Sequence, residues 1–326
     1  MLSRRAFIVG LTAAAAALAS RRALAAPAHG VRAHATDARG TTLTLDLAHA
    51  PFPHAGAGYS DSTVLVFVPR HFSAPRGGAI PMVVHFHGHN TTAERAIAAH
   101  QLREQLFDSK QNAILVVPQG PVMAPDSSAG KLEAPGGLAR MLAEVLHTLQ
   151  GRPASSAVGR AFIPAKASVG RLCLSAHSGG YHAAAACLRV GGVAVREVYL
   201  FDALYAELDA FRDWVIAGKG KPMGARHKLV SYYTDGTTAT NTHHLFDELE
   251  RAGVECARET VEGTLSRTAL TRAEAVSIKT QLSHGEVTSS LNSLRDCLYA
   301  SALPRRLRTS WFESKHGARP LERRRR

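Results

Sequence analysis

The fold class is decided by the stretch Leu172-Cys173-Leu174-Ser175-Ala176-His177-Ser178-Gly179-Gly180, which lies near the middle of a chain of 326 residues. The stretch starts as an apolar run with the length of a buried strand, and it ends in small residues that lead into the helical pattern of 181–189. Small residues are needed where a strand turns sharply into a helix, because backbone and side chains crowd together there. The turn puts Ser178 at a helix N-terminus, where free N–H groups and the helix dipole favour negative charge.

Outside this stretch, short apolar runs alternate with longer runs of helical period. Strands are predicted at 42–47, 63–69, 82–87, 113–118, 172–175, 195–201, 229–233 and 275–279. Helices are predicted at 93–107, 137–149, 180–189, 204–216, 241–252 and 287–298. The alternation predicts an α/β fold with a mostly parallel central sheet and helices on both faces. With 45% hydrophobic residues the chain can build one large core, so a single domain is predicted at 41–308.

Both ends of the chain are predicted to lie outside this domain. Residues 1–25 have the layout of a signal peptide, with Arg4-Arg5, an apolar run and small residues before a cleavage site. The paired arginines resemble a twin-arginine export signal, so the predicted location is periplasmic or secreted. Residues 26–40 are predicted to be a flexible leader, and 309–326 a basic tail.

Charge and aromatic content argue against a nucleic-acid-binding protein, and cysteine content argues against a disulfide-built scaffold. The formal net charge of +13 falls to +5 once the four arginines of the signal and the four that end the tail are set aside. No nucleic-acid motif accompanies this charge and aromatic content is only 6%, so the tail is interpreted as a solvated end that makes weak contact with anionic surfaces. Four cysteines are too few for a disulfide scaffold, and a pairing of Cys256 with Cys297 stays open.

Two later positions complete a pattern with Ser178. Asp235 follows the strand predicted at 229–233, and His284 follows the last predicted strand in Ser283-His284-Gly285-Glu286. With this order of serine, acid and histidine, the chain resembles the α/β-hydrolase superfamily from about residue 63 to residue 298. The superfamily's strand-to-helix turn reads G-x-S-x-G; here Ala176 replaces the first glycine and Gly180 keeps the second.

The resemblance implies a serine hydrolase that cleaves an ester or amide bond through an acyl-enzyme intermediate, with no cofactor. Ser178 is the implied nucleophile, His284 the base, and Asp235 the preferred acid. Asp202 is the alternative acid, because it ends the strand at 195–201 and some members carry the acid one strand earlier. His177 is interpreted as lining the cleft. The substrate, and the choice between an esterase and a peptidase or amidase, stay open.

The segment Val83-Val84-His85-Phe86-His87-Gly88-His89-Asn90 permits a second interpretation. In a serine hydrolase, Gly88 or His89 would lend one backbone N–H to the oxyanion and Gly179 the other. Alternatively, His85, His87 and His89 at alternate positions could bind a metal ion in a metal-dependent hydrolase. A third interpretation is a non-catalytic binding protein on the same fold. No cap domain is predicted, since the connection at 202–226 has room for barely one helix.

Overall fold

The computed structural model describes residues 29–306 together with Gly317 and Leu321. The predicted signal peptide and nearly all of the predicted basic tail lie outside these residues. None of the described helices combines the length and the apolar character needed to cross a membrane.

Ten strands within the described residues form one sheet in the order β1-β2-β3-β5-β4-β6-β7-β8-β10-β9. Their bounds are β1 Gly30–Thr36, β2 Gly40–Asp46, β3 Thr63–Pro69, β4 Ala79–Phe86, β5 Ile114–Pro118, β6 Ser168–His177, β7 Val195–Phe201, β8 Lys228–Tyr233, β9 Cys256–Glu259 and β10 Ala275–Lys279. Strands β1, β2 and β3 pair antiparallel, β3 also pairs antiparallel with β5, and every later pairing is parallel.

Helices cover both faces of the sheet. Their bounds are α1 Ala93–Ala99, α2 Leu102–Ser109, α3 Gly137–Gln150, α4 Arg152–Val158, α5 Tyr181–Val190, α6 Leu208–Gly218, α7 Thr237–Arg251, α8 Arg267–Arg272 and α9 Ser293–Tyr299. Successive residues of a strand point to opposite faces, so Leu174 of β6 packs in the same core as Leu138 of α3, while Cys173 packs in a second core with Leu294 of α9. Two cores, one on each face, account for the apolar runs of the central strands.

The predicted fold class is confirmed: the fold is α/β, with a mostly parallel central sheet and helices on both faces. Within the described residues, the connection between β7 and β8 carries only α6, without a separate cap domain. Within the described residues, Cys256 on β9 and Cys297 in α9 are not joined to each other by a disulfide bond.

Several local features differ from the prediction. The flexible leader predicted at 26–40 contains β1, which forms a hairpin with β2 because the Asp37 side chain binds the N–H groups of Arg39 and Gly40 in the turn. The helix predicted at 93–107 is broken at Gln101, which has φ +49°. The short edge strand β9 was not predicted, and the last helix begins at Ser293 because turns occupy the preceding residues.

The carboxyl ends of the parallel strands meet at one edge of the sheet. Ser178 directly follows β6 and Asp202 directly follows β7, its neighbour in the sheet. His284 lies in the turns after β10. Residues that are distant in the chain are thereby brought to one place.

Candidate active site

Ser178 occupies the turn between β6 and α5 in a strained conformation. Its φ is +52°, which is unfavourable for any residue with a side chain. The turn packs closely on β4, because a Cβ atom at Gly180 would lie 2.5 Å from the main-chain oxygen of Phe86. The sequence pattern predicts such a turn, with a small residue two positions after the serine.

Gly88 and His89 border Ser178 from the loop after β4. A Cβ atom at Gly88 would lie 2.7 Å from Ser178 Cβ and 3.2 Å from its Oγ, so the backbone of Gly88 runs beside the hydroxyl group. The imidazole of His89 lies over Gly179, where a Cβ atom would come within 2.3 Å of the ring. Ser127 Oγ holds that imidazole at 2.7 Å from Nε2. Gly88, His89 and Gly179, the three residues predicted to form an oxyanion site, therefore lie together at the turn that carries Ser178.

The imidazole of His284 is held by Asp202. Its Nδ1 atom lies 2.6 Å from Asp202 Oδ2, and the carboxylate is only 2% exposed while the imidazole is 43% exposed. Tyr205 packs edge-on against His284, with 6.3 Å between the ring centroids. With Nδ1–H donating to a buried carboxylate, Nε2 is the nitrogen that can accept a proton.

Asp202 is fixed by two threonines of the segment after β8. Thr234 donates from its N–H group at 3.1 Å and from its hydroxyl at 2.9 Å, and the hydroxyl of Thr238 donates as well. Burial alone would raise the pKa of Asp202, but the hydrogen bonds from His284 and these threonines outweigh it and lower the pKa to about 2. The carboxylate is therefore ionised at neutral pH. The threonines were not singled out in the sequence, although they stand in a threonine-rich stretch that follows a predicted strand.

His284 Nδ1 contacts Asp202 and not Asp235, which was predicted as the preferred acid. The side chain of Asp235 is 96% exposed and accepts a hydrogen bond from Lys279 at the end of β10. The physical reason is that Thr234, the residue before it, turns inward to bind Asp202, which directs the next side chain outward to solvent. The contact predicted between Asp235 and His284 is therefore corrected to a contact between Asp202 and His284.

The three histidines of the metal alternative bind separate partners. These are Ser175 Oγ for His85 at 2.9 Å, the Gly120 N–H group for His87 at 2.9 Å and Ser127 Oγ for His89 at 2.7 Å. Because His87 Nε2 accepts from Gly120 and its Nδ1 lies 2.8 Å from the Gly88 carbonyl, both of its ring nitrogens are engaged. Within residues 29–306, no group of three or more histidine, cysteine, aspartate or glutamate side chains could hold a metal ion.

A row of four imidazoles, the histidine row, runs from the core to the surface and ends at His284. The ring centroids are 5.8 Å apart between His85 and His100, 4.5 Å between His100 and His177, and 4.7 Å between His177 and His284. His177, interpreted as lining the cleft, is in fact buried. Burial lowers the pKa of His100 to about 3 and that of His177 to about 4, so both are neutral at neutral pH.

A small pocket borders Gly179 on the side of the loop after β5. Its cavity volume is about 20 Å³, little more than the space for one water molecule. Its walls are mostly apolar and include Pro51, Phe86, Pro118, Pro121, Ala129, Leu132 and Ala183, with Asp126, Ser127 and Ser128 among the polar residues. Part of the stretch at 118–137 therefore forms a wall beside the site.

Comparison with known proteins yields structural likeness only. No family model matches the chain, and no curated protein matches it in sequence. A ferulic acid esterase shares 13% identity with a TM-score of 0.48, covering 79% of this chain and 95% of its own. An S-formylglutathione hydrolase from Agrobacterium tumefaciens shares 13% identity with a TM-score of 0.42, covering 88% of this chain and 100% of its own. A feruloyl esterase module from Clostridium thermocellum shares 9% identity with a TM-score of 0.45, covering 81% of this chain and 88% of its own. At these values the likeness identifies no substrate.

We expect the protein to lose stability as the pH falls from about 6.5 towards about 4. The pKa values of His100 and His177 are lower in the folded protein than the ordinary value of 6.5, so the unfolded chain binds more protons in this window. Each histidine then lowers the free energy of unfolding by up to about 1.4 kcal/mol per pH unit. Denaturant unfolding at a series of pH values measures this slope.

The variant His100→Phe provides the control for this prediction. It should reduce the slope by the contribution of one histidine, because phenylalanine binds no proton in either state. Asp202 stays ionised throughout the window, since its pKa is about 2. A slope that is the same in both proteins would contradict the prediction.

Proposed function

We propose that the protein is a serine hydrolase that cleaves carboxylic esters, with Ser178 as nucleophile, His284 as general base and Asp202 as the acid. The observation that carries the proposal is the hydrogen bond from His284 Nδ1 to the buried carboxylate of Asp202, at the sheet edge where Ser178 sits in a strained turn. Strained backbone and a buried carboxylate are both costly for stability, and their coincidence at one edge is typical of catalytic sites.

In the proposed reaction, His284 Nε2 takes the proton of Ser178 as Oγ attacks the ester carbonyl carbon. The negative charge moves to the carbonyl oxygen, and the imidazolium is stabilised by the ionised Asp202. The protonated imidazole then donates its proton to the leaving alcohol, so that the ester C–O bond breaks and an acyl-enzyme remains. A water molecule then attacks the acyl-enzyme with His284 as the base. This step releases the carboxylic acid product and restores the Ser178 hydroxyl.

The developing negative charge needs donors beside Ser178. We assign this role to the N–H groups of Gly179 and of Gly88 or His89. The close approach of Gly88 to Ser178 Oγ supports the assignment, as does the position of Gly179 at the start of the helical turn Ser178–Gly180. Removing one such donor typically costs about 10²–10³-fold in kcat.

The proposed substrate class rests on the small pocket beside Gly179, where space for little more than one water molecule would admit the methyl group of an acetyl ester. Its mostly apolar walls favour burial of that methyl group over a charged group. The leaving group would then lie on the open side, near His284, where the side chain of Tyr205 is exposed. Esters are proposed rather than amides because an alkoxide leaves with less help from the general acid than an amine does.

The sequence of residues 1–25 supports a proposal on location. A twin-arginine-like signal would export the folded enzyme to the periplasm or the medium, where it would meet extracellular esters.

Ser178 should react with a fluorophosphonate probe, because only a serine activated by a base attacks phosphorus at a useful rate. Mass spectrometry of the digested protein should find the adduct on the peptide that contains Ser178. The variant Ser178→Ala should not be labelled, and Ser155→Ala, a serine on α4, should be labelled like the wild type. A chelator should change nothing. Absence of labelling in the folded wild type would contradict the serine mechanism, and loss of labelling with the chelator would revive the metal alternative.

Replacement of the two candidate acids should affect kcat very differently. Asp202→Asn is expected to lower kcat for p-nitrophenyl acetate by about 10³–10⁴-fold, since an amide stabilises neither the required tautomer nor the imidazolium. Asp235→Asn should stay within about twofold of the wild type, because its side chain lies in solvent. The reverse pattern in steady-state kinetics would show that Asp235 is the acid.

The size of the pocket predicts a preference for short acyl chains. We expect kcat/KM for p-nitrophenyl acetate to exceed that for the octanoate by at least about tenfold. Leu132→Ala enlarges the pocket and should raise the relative rate with octanoate. The matched control Leu146→Ala removes the same atoms from the core outside the pocket and should leave the ratio unchanged. Equal rates with both esters in the wild type would contradict a short-acyl specificity.

A further inference from the structure

His284 depends on anchors because it lies outside the regular elements of the sheet. It belongs to the turns after β10, and its side chain is 43% exposed, so packing alone restrains it little. One anchor is Asp202, which holds the imidazole at Nδ1. A hydrogen bond to one ring nitrogen fixes a point on the ring but leaves the backbone free to shift.

A second anchor is supplied by His177, the residue directly before the nucleophile. Its Nε2 atom lies 2.8 Å from the main-chain oxygen of His284, and since a carbonyl only accepts, Nε2 must carry the proton and donate. The two rings also face each other at 4.7 Å with 37° between their planes. His177 thus contacts both the backbone and the ring of His284.

We propose that His177 is a positioning residue that holds the general base over the nucleophile; this rests on the proposed serine hydrolase function. Because His177 directly precedes Ser178, its hydrogen bond to the His284 carbonyl ties the turn that carries the nucleophile to the loop that carries the base. Asp202 fixes the ring of His284 and His177 fixes its backbone. Two anchors on different parts of one residue define its position far better than either does alone.

The orientation of His177 is in turn restrained by His100. The ring of His100 lies 4.5 Å from that of His177, and its exposed fraction is only 6%. The main chain of His100 is held by Gln105, whose amide donates to the His100 carbonyl and to the Thr288 carbonyl at 2.8 Å each. Thr288 lies four residues after His284, so the same glutamine also holds the loop of the base.

The position of the hydrogen-bond donor provides the test. His177→Gln places an amide N–H close to where Nε2 stands, whereas His177→Phe keeps a ring of similar size and removes the donor. With p-nitrophenyl acetate, we expect His177→Phe to lower kcat by about 10–100-fold with KM nearly unchanged. His177→Gln should stay within about threefold of the wild type. If the Phe variant does not fold, His177→Asn takes its place, because its shorter amide cannot reach the carbonyl.

A matched control is His71→Phe. His71 also contacts a main-chain carbonyl, that of Gln111 at 3.1 Å, and packs against the ring of Phe107 at 5.3 Å, but it lies in the connection that precedes β4, at the opposite end of the strands. This variant loses the same kind of contact and should keep the wild-type kcat. A similar fall in both Phe variants would mean that His177 acts only through general stability, and would overturn the proposal.

A double-mutant cycle separates positioning from other effects. If both anchors act by orienting His284, His177→Phe should cost much less in an Asp202→Asn background than in the wild type, because the base is already misplaced. Additive losses, or equal kcat values for the Phe and Gln variants, would overturn the proposal. Failure of the proposed function itself looks different, since wild-type Ser178 would then not be labelled by the fluorophosphonate.

Discussion

The hydrogen bond between His284 and the buried carboxylate of Asp202 is the interaction on which the site depends. An ionised carboxylate that is 2% exposed is tolerated only when several donors replace the lost water. Thr234 and Thr238 supply these donors together with His284, and they come from a different strand connection than the base. This arrangement therefore forms only when β7, β8 and β10 are in register, which couples the proposed chemistry to the integrity of the sheet.

Backbone strain occurs at the same edge of the sheet. Ser178 and Asp202, which directly follow neighbouring strands, have φ of +52° and +46°. Asn90 and Met123, at +53° and +50°, belong to two adjoining loops that hydrogen-bond to each other through Asn90 N–H to the Ala124 carbonyl. Each such conformation costs about 1–3 kcal/mol, and it persists only because the surrounding contacts leave no alternative. The parallel core supplies that rigidity, while the loops carry the residues of the proposed site.

The central sheet could be predicted from the sequence because its strands are buried on both faces and read as continuous apolar runs. The edge strands β1 and β9 lack that signal, since their residues are mostly exposed or half-buried. Ser178 and His284 could be proposed as nucleophile and base from the strand-to-helix motif around Ser178 and from the chain order of serine, acid and histidine. Which aspartate contacts His284 could not be predicted, and Asp235 was preferred, because both follow a strand and the difference lies in the direction of the turn at Thr234, which is set by contacts across the sheet.

The histidine row could not be predicted for a related reason. Histidines that are neighbours in space lie far apart in the sequence, up to 107 residues for His177 and His284. The burial of the row has a cost, since His85 Nε2 and His100 Nδ1 have no hydrogen-bond partner among the described protein atoms, and an unsatisfied buried polar atom costs about 1–3 kcal/mol. Phenylalanine would fill the same space without that cost. An imidazole at His177 does what a phenyl ring cannot, because it packs against the ring of His284 and also donates to its carbonyl. That second capacity gives a physical reason for an imidazole at His177 behind the proposed base, even though an apolar ring there would make the core more stable.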